Sequence, residues 1–500
     1  MKLAILGAYI VVLLVLGWIG MKKTKTLNDF FLGGRKIGPF MSAFAYASTY
    51  FSAVVFIGYA GKIGWGFGLS SLWISVGNAI LGCLIAWKFL ARPTRAMSIR
   101  IGSITMPGFF ARRYNSVAME IFAALIIFVF LVPYCSSVYS GLSYIFEAVF
   151  NLDYTVSLVI IAVVTAVYLV MGGYSALNLA DVFQGFIMVF GVIFMVILVV
   201  STDAVGGFGQ IIPRLKSIDP ALIAPVGPGG FIPLLALVLL TSLAPWAMPQ
   251  MVQKFYAVKS EKVIKTATWG TFILGLLISF GAYFTGSISR LFFTDLAQVG
   301  GNVDRIIPTI LQIALPEFMQ ALILVLVLSA SMSTLASLVL VASSSVAVNI
   351  VDTLWPGVKN KKMVLFMRVL CILFVAISLY NALNPGVIVN VMALSWGAIA
   401  GSFLAPYLFG LFYRKTTKAG AWSAMLTGLT IAVVGSLMYP DSTPVVGSIA
   451  MLVPLIVVPV VSAFTKPYSK EHLEFVFDSD GHGQEGDYIY IWEGLKKKAN

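Results

Sequence analysis

Apolar residues in this chain come in long unbroken runs that are separated by short polar stretches. The runs lie near 3–20, 40–60, 68–91, 117–149, 154–171, 181–201, 231–253, 265–290, 318–350, 363–383, 387–412, 420–438 and 445–464. A helix needs about 20 apolar residues to cross the hydrocarbon of a bilayer, whereas a strand of a membrane barrel alternates over about 10 residues. The pattern therefore predicts an all-α polytopic membrane protein with about 13 transmembrane helices.

Composition and charge agree with this class. Hydrophobic residues make up 59% of the chain and charged residues 11%, whereas a soluble domain carries about 25% charged residues. The formal net charge is +13, but the Lys and Arg residues stand in short clusters between the apolar runs, which excludes a nucleic-acid surface. These clusters alternate with loops that carry Asp. Because Lys and Arg of short loops stay in the cytoplasm, the alternation predicts an outside N-terminus and a cytoplasmic C-terminus in the cell membrane.

The residues that carry out acid–base or metal chemistry are scarce in the apolar runs. Both histidines, His472 and His482, lie in the polar C-terminal tail. The three cysteines are scattered without the spacing of metal ligands or of a disulfide framework. Membrane hydrolases and acyltransferases generally depend on a histidine base or on metal ligands within the spans. The sequence therefore disfavours a membrane enzyme.

Two of the apolar runs contain residues that interrupt a helix. The second run carries Ser48, Thr49 and Ser52, and the seventh carries Pro245 and Pro249. Hydroxyl groups can satisfy backbone groups freed where a helix unwinds, and proline removes an N–H donor. Taken singly, the alternatives are close packing of small residues and a proline kink. Because the two stretches lie about 200 residues apart, in matching places of two groups of about five runs, together they indicate an inverted-repeat transporter with a midplane site.

The ninth run carries a face of small and hydroxyl residues. The residues on that side of the helix are Ala330, Ser333, Thr334 and Ser337. Such a face serves either close helix packing or a cation site made of neutral oxygens, which suits an ion that is released in every cycle. Asp181 begins the sixth run, so its carboxylate either complements the dipole of a helix in its first turn or attracts a cation on the cytoplasmic side.

The chain resembles the sodium:solute symporter family, and the resemblance covers nearly all of it. The segments that carry the resemblance are 27–35 (LNDFFLGGR), 172–176 (GGYSA) with Asp181 and 184–185 (QG), 249–250 (PQ) before 254–255 (KF), and 333–337 (STLAS). Each segment is weak evidence alone, whereas their order and spacing together are specific.

This resemblance implies a LeuT-like core of two inverted five-helix repeats and sodium-driven uptake of a small organic solute by alternating access. It divides the chain into a first helix and cytoplasmic loop (1–37), the ten-helix core (38–415), two further helices (416–465) and a cytoplasmic tail (466–500). It also implies Na⁺ as coupling ion. The ligands would be backbone carbonyls of Ser48, Phe51 and Ala330 and hydroxyls of Ser333 and Thr334. Asp181 matches an acidic residue of the family near the inner cation path.

The solute is less specified than the ion. The residues expected to face it flank the two breaks, and they are Thr49, Tyr50, Ser52, Trp246 and Gln250. Val54 and Val55 stand where sugar-transporting members carry polar residues, and Tyr50 stands where proline-transporting members carry aspartate. The stretches 49–53 and 56–58 are more similar to members that carry pantothenate or other carboxylates. A carboxylate could be held by N–H groups at a half-helix end and by Thr49 or Ser52.

We therefore expect a symporter for a carboxylate-bearing solute such as a monocarboxylate, pantothenate or an amino acid. The alternatives are a proton-coupled or uncoupled transporter of the same fold and a sensor that binds solute without moving it. The proton-coupled alternative suffers from the shortage of titratable residues inside the runs. The expected partners are the solute and the lipid bilayer, and no feature of the sequence indicates an obligate protein partner.

Overall fold

The computed structural model of the protein describes residues 2–23, 33–355 and 360–478. Across these residues the secondary structure is helical, apart from turns and one isolated backbone bridge between Ile37 and Val258. The all-α prediction is confirmed. Of the segments that carry the family resemblance, 27–32 lies outside the described residues.

The described residues of the first half of the chain contain eight helices. They are α1 (Lys2–Lys23), α2 (Pro39–Tyr50), α3 (Ala60–Phe67), α4 (Leu72–Gly77), α5 (Arg92–Arg100), α6 (Met106–Arg113), α7 (Val117–Phe150) and α8 (Tyr154–Val200). The π-helical segment Val54–Tyr59 leads into α3, and a second one, Asn78–Ala91, joins α4 to α5 without a break. Residues 54–100 therefore form a nearly continuous helical path.

In the second half, eleven helices lie within the residues that the structure describes. They are α9 (Ile211–Ile218), α10 (Phe231–Leu243), α11 (Pro249–Ala257), α12 (Glu261–Ser287), α13 (Ile306–Ala314), α14 (Glu317–Val346), α15 (Asn360–Ala382), α16 (Ile388–Phe412), α17 (Lys418–Met438), α18 (Thr443–Ala463) and α19 (Lys470–Phe477). A π-helical segment, Ala347–Val351, and one turn, Asp352–Leu354, extend α14.

The described residues contain ten helices that are long and apolar enough to span a membrane, or eleven when the bent pair Phe231–Trp246 and Pro249–Ala257 counts as one span. The expected count of about 13 thus stays a prediction. The difference arises where the chain departs from one helix per apolar run. The path Val54–Arg100 counts once although it contains the whole run 68–91 and the end of the run 40–60.

Burial separates a central group of helices from a peripheral group. The most apolar window of Glu317–Leu354, which contains α14, is 94% buried, whereas that of Lys2–Ile19 in α1 is 17% buried. Large apolar side chains on the outward faces of several helices are exposed, for example Phe190, Trp269 and Leu437. A bilayer accepts such surfaces, because lipid tails are as apolar as the side chains. The serine-rich helix α14 therefore lies in the middle of the molecule.

The C-terminal helix α19 packs against the ends of the loops that carry basic residues. The His472 Nε2 lies 2.9 Å from the carbonyl oxygen of Arg113, and Tyr468 donates a hydrogen bond of 2.7 Å to the carbonyl of Tyr114. Arg414 pairs with Asp478 just after the helix. Burial lowers the pKa of His472. The first part of the expected tail is thus docked on the protein, and residues 479–500 lie outside the described residues.

Candidate cation and solute site

The helix of the second apolar run breaks where the hydroxyl residues cluster. Helix α2 ends at Tyr50, Phe51 has extended backbone angles (φ −105°, ψ 120°), and helical structure resumes at Val54. The Ala53 N–H donates to the Ser331 hydroxyl on α14 over 2.9 Å, and the Val54 N–H donates to the Ser52 hydroxyl over 3.3 Å. Two hydroxyl groups thus accept hydrogen bonds from N–H groups that the break leaves without a helical partner.

The second break lies at the two prolines of the seventh run. Helix α10 ends at Leu243, the turn Ala244–Trp246 follows, and α11 begins at Pro249. The two segments are bent by 43° relative to each other. Proline suits the first position of a helix because its missing N–H would have no partner there. Pro249 therefore starts a new helix instead of kinking an old one.

The break in α2 faces the hydroxyl residues of α14. The Thr334 Oγ1 lies 3.0 Å from the carbonyl oxygen of Ala330, 3.1 Å from that of Thr49 and 3.4 Å from that of Ser48. A hydroxyl has one hydrogen to donate, so three carbonyls around one hydroxyl leave unshared lone pairs. A hard cation takes up such oxygens. All four residues are buried.

Ser333 extends this cluster of oxygens to a carboxylate. Its Oγ lies 2.9 Å from the Ser48 Oγ and 2.6 Å from the Asp181 Oδ1. The structure thus brings together Ser48, Ala330, Ser333 and Thr334 of the expected sodium ligands. Phe51, the fifth, lies in the extended segment beside them, with its ring 4.5 Å from the ring of Tyr50 between centroids.

The position of Asp181 in the structure contradicts one of the two interpretations of this residue, namely that it complements a helix dipole. The sequence places it in the first turn of a new helix, but the structure has one helix, α8, that runs through residues 172–176 to Val200. Asp181 lies inside this helix and is fully buried. The dipole interpretation is therefore wrong, because a residue in mid-helix has no helix N-terminus to complement. The two glycines at 172–173 are accommodated in the helix and do not make a loop.

Lys254 is the residue that sequence analysis missed. Its charge suggests a cytoplasmic basic cluster, but it lies on α11 with its side chain 1% exposed, and its Nζ is 3.2 Å from the Asp181 Oδ2. The signal available in the sequence is its place four residues after Gln250 in the segment that resembles the family. A helix that begins at Pro249 turns Gln250 and Lys254 to the same side, into the protein.

The two breaks are linked through residues 78–82. The Tyr50 Oη lies 2.6 Å from the carbonyl oxygen of Thr241, near the end of α10, and 3.2 Å from the Asn78 Oδ1. The Trp246 indole N–H donates to the carbonyl of Leu81 over 2.9 Å. Residues Tyr50 and Trp246, which were both expected to face the solute, thus contact the same helical segment.

The other three solute candidates have different surroundings. The Thr49 hydroxyl lies 3.2 Å from the Ser337 Oγ and so points toward α14. The Ser52 hydroxyl accepts the Val54 N–H, as described above. Gln250 is buried, and its Oε1 receives no hydrogen bond within the described part of the chain. An amide oxygen in that position is available to a ligand with an N–H donor.

A loop on the opposite side from α19 packs over the core. The Asp304 Oδ2 accepts a hydrogen bond from the Ile388 N–H, the first residue of α16, over 3.1 Å. Burial raises the pKa of the Asp304 carboxyl to about 6, while the Ile388 N–H and the charge of Lys62 act in the opposite direction. The loop carbonyl of Val303 lies against Gly61 of α3. One loop thus contacts both halves of the core.

Comparison with known proteins identifies the class to which this architecture belongs. Residues 30–428 match the model of the sodium:solute symporter family. The chain belongs to this family. It is therefore a sodium-coupled solute symporter and a multi-pass membrane protein, not an enzyme.

Two similar relatives illustrate the family. The osmoregulated proline transporter OpuE of Bacillus subtilis (strain 168) is 28% identical over 434 residues, which cover 86% of this chain and 87% of that protein. The sodium/proline symporter of Staphylococcus aureus (strain bovine RF122 / ET3-1) is 28% identical over 444 residues, which cover 86% and 84% of the two chains.

Two solved structures share the fold. A Na⁺-coupled sialic acid symporter in a substrate-bound outward-open state superposes with a TM-score of 0.76 at 18% identity, covering 94% of this chain and 98% of that chain. Mhp1, a nucleobase-cation-symport-1 family transporter, superposes with a TM-score of 0.54 at 17% identity, covering 89% and 97%. The expectation of a LeuT-like transporter fold is confirmed.

Proposed function

We propose that the protein moves Na⁺ together with a small amino acid, and that proline is the first solute to test. The observation that carries the ion part is the cluster of carbonyl and hydroxyl oxygens where the break in α2 meets Thr334 of α14. Neutral oxygens bind Na⁺ and also release it, because no full charge holds the ion. In this proposal Ser48, Phe51, Ala330, Ser333 and Thr334 hold the ion.

The solute part of the proposal is supported by two relatives, a proline transporter and a sodium/proline symporter. Both match this chain over most of their length. The expectation drawn from Tyr50 favoured other carboxylates as the solute. These relatives place proline ahead of them as the first candidate. Both proline and those carboxylates share the carboxylate group, which the N-terminal end of α11 suits through its dipole. The amide oxygen of Gln250 on that helix would receive the N–H of an amino acid.

The coupling follows from the proposed position of the ion next to the break. Sodium would order the extended segment at Phe51 and Ser52, and the ordered segment would then bind the solute. One charge that moves inward down a potential of 100 mV gains about 2.3 kcal/mol. This supports a solute gradient of about 50-fold, because 1.4 kcal/mol corresponds to a tenfold ratio.

Purified protein in proteoliposomes tests the proposal. Uptake of labelled proline, other amino acids, monocarboxylates and pantothenate is measured under an inward Na⁺ gradient, under a pH gradient, and with neither. We expect accumulation of at least one of these solutes, proline first, with the Na⁺ gradient alone. Accumulation that persists without a Na⁺ gradient at zero potential, or that follows the pH gradient, contradicts sodium coupling. Binding without any uptake would identify a sensor.

A further inference from the structure

A complete ion pair is buried in the middle of this membrane protein. The Lys254 Nζ lies 3.2 Å from the Asp181 Oδ2, and the two side chains are 1% and 0% exposed. Each charge alone would be costly when buried in this way, and together they neutralise each other. Lys254 belongs to α11 and Asp181 to α8, so the pair joins two helices that flank the candidate cation site.

The pair is continuous with the expected sodium ligands. The second oxygen of Asp181, Oδ1, lies 2.6 Å from the Ser333 Oγ, and the Ser333 Oγ lies 2.9 Å from the Ser48 Oγ. A line of contacts therefore runs from the ammonium of Lys254 through a carboxylate and two hydroxyls to the break in α2. The Lys254 ammonium lies at one end of this line, and the oxygen cluster around Thr334 lies at the other end.

The middle of this line, which consists of Asp181, Ser333 and Ser48, has the chemistry of a cation site. A carboxylate with hydroxyl groups next to it supplies the hard oxygen ligands that Na⁺ takes, with a full negative charge in addition. In this chain a lysine ammonium already contacts that carboxylate. Because the pair of Lys254 and Asp181 has no net charge, it offers little attraction to a second metal ion. The neutral oxygens at Thr334 do not belong to this pair and stay available to one ion.

We propose that the ammonium of Lys254 is a tethered cation that takes the place of a second sodium ion at Asp181. The protein then binds and moves one Na⁺ in each cycle, at the oxygen cluster of Ser48 and Thr334. This inference rests on the proposed sodium coupling, and it assigns to Lys254 the control of how many ions are coupled. Removal of the ammonium exposes Asp181 to sodium and creates the second site.

The number of sodium ions bound per chain is the direct readout. Equilibrium binding of ²²Na⁺ to the purified full-length protein is measured together with the Na⁺ dependence of solute uptake. We expect one ion per chain and a Hill coefficient of one for the wild type. For Lys254→Met, which has similar length without charge, we expect two ions per chain and a Hill coefficient that rises above one.

Three further variants control this comparison. Lys254→Arg keeps the charge and should bind one ion. The double variant Lys254→Met with Asp181→Asn removes both charges and should also bind one ion, which distinguishes a new site at the carboxylate from a general change in the fold. Lys259→Met, which alters an exposed lysine five residues further on, should behave as the wild type.

Each outcome decides a specific point. One ion bound to both the wild type and Lys254→Met overturns the role of Lys254 and leaves sodium coupling intact. Two ions bound to the wild type overturn that role even if Lys254→Met fails to fold. A wild type that binds no ²²Na⁺ and shows no sodium-dependent uptake overturns the proposed function and this inference with it. Two ions in Lys254→Met and one in the double variant support the inference.

Discussion

At the scale of single residues, the protein concentrates its polar groups where one hydroxyl meets several carbonyls. Thr334 is the clearest case, because its single hydrogen cannot satisfy the carbonyls of Ser48, Thr49 and Ala330 at once. A buried cluster with more acceptors than donors is unfavourable by itself, and a bound cation would relieve it. A hydroxyl residue elsewhere on α14 has an ordinary local role. The Ser344 hydroxyl, for example, bonds the Val341 carbonyl of its own helix.

The first prediction concerns the hydroxyls of α14. Ser333→Ala and Thr334→Ala each remove one oxygen from the proposed sodium site, so each should raise the Na⁺ concentration for half-maximal uptake by roughly tenfold, which corresponds to about 1.4 kcal/mol. Uptake is measured as a function of external Na⁺ at equal amounts of reconstituted protein. Thr334→Ser, which keeps the hydroxyl, and Ser344→Ala should change this concentration little. Unaltered sodium dependence in both alanine variants would remove these residues from the site.

At the scale of helices, breaks and close crossings shape the core. The break in α2 is stabilised from α14 by Ser331, and the segment that follows it leads into α3, which crosses α12 at very short distance. A Cβ atom added at Gly64 would overlap the backbone of Gly286, and one added at Gly286 would overlap the backbone of Ala60. Only residues without a side chain permit two helices to approach this closely.

The second prediction uses this crossing. Gly64→Ala should destabilise the protein by about 1–3 kcal/mol, because overpacking a close contact forces backbone shifts. Gly66, two residues away on the same helix, has open space around its Cβ position. Gly66→Ala should therefore be neutral or stabilising by about 0.5–1 kcal/mol, since alanine favours the helix more than glycine does. The unfolding temperatures of the two variants in detergent test this difference. Equal unfolding temperatures would contradict the close contact of α3 with α12 at Gly64.

At the scale of the whole molecule, contacts at both ends connect distant parts of the chain. Asp304 joins the loop before α13 to the first residue of α16. At the opposite end, α19 is held against the loop residues Arg113 and Tyr114. Both contacts bridge segments that are far apart in sequence, so they fix the ends of these segments relative to each other.

The third prediction is a pH dependence of stability from Asp304. Its pKa is about 6 in the folded protein, whereas an unfolded Asp titrates near 4. The folded state therefore binds the proton more tightly, so stability falls as pH rises from about 4 to about 6, and the cost is fully present above that range. The charged groups near Asp304 are Lys62, whose Nζ bonds the Asn390 Oδ1, and the pair of Arg305 with Glu147.

Thermal unfolding of the purified protein at pH 5 and pH 7 measures this effect. The wild type should gain about 1.4 kcal/mol of stability at pH 5 through Asp304, since one pKa unit corresponds to about 1.4 kcal/mol and about one unit of the shift is titrated between pH 7 and pH 5. In Asp304→Asn that part of the gain should disappear, whereas Asp203→Asn, at an exposed position, should keep it. The same gain in wild type and Asp304→Asn would show that other groups cause the dependence.

Much of this protein was predictable from the sequence because the bilayer imposes strict local rules. Runs of apolar residues predict helices, since a lipid-exposed backbone must satisfy its own hydrogen bonds. Clustered hydroxyls and paired prolines predict the breaks at Phe51 and Pro249, since these residues act on the backbone within one turn. The serine face of α14 follows from helical period alone. Each of these properties depends on residues close together in the chain.

Only the tertiary structure decided which of these groups meet. Sequence analysis placed Asp181 at a helix start and did not single out Lys254, yet the side chains of the two residues meet in a buried ion pair between α8 and α11. The Thr49 hydroxyl likewise turns to Ser337 instead of toward the second break. Such contacts join residues tens to hundreds of positions apart, and they depend on how helices cross and rotate. Local pattern contains no information about those angles, whereas packing of the whole core determines them.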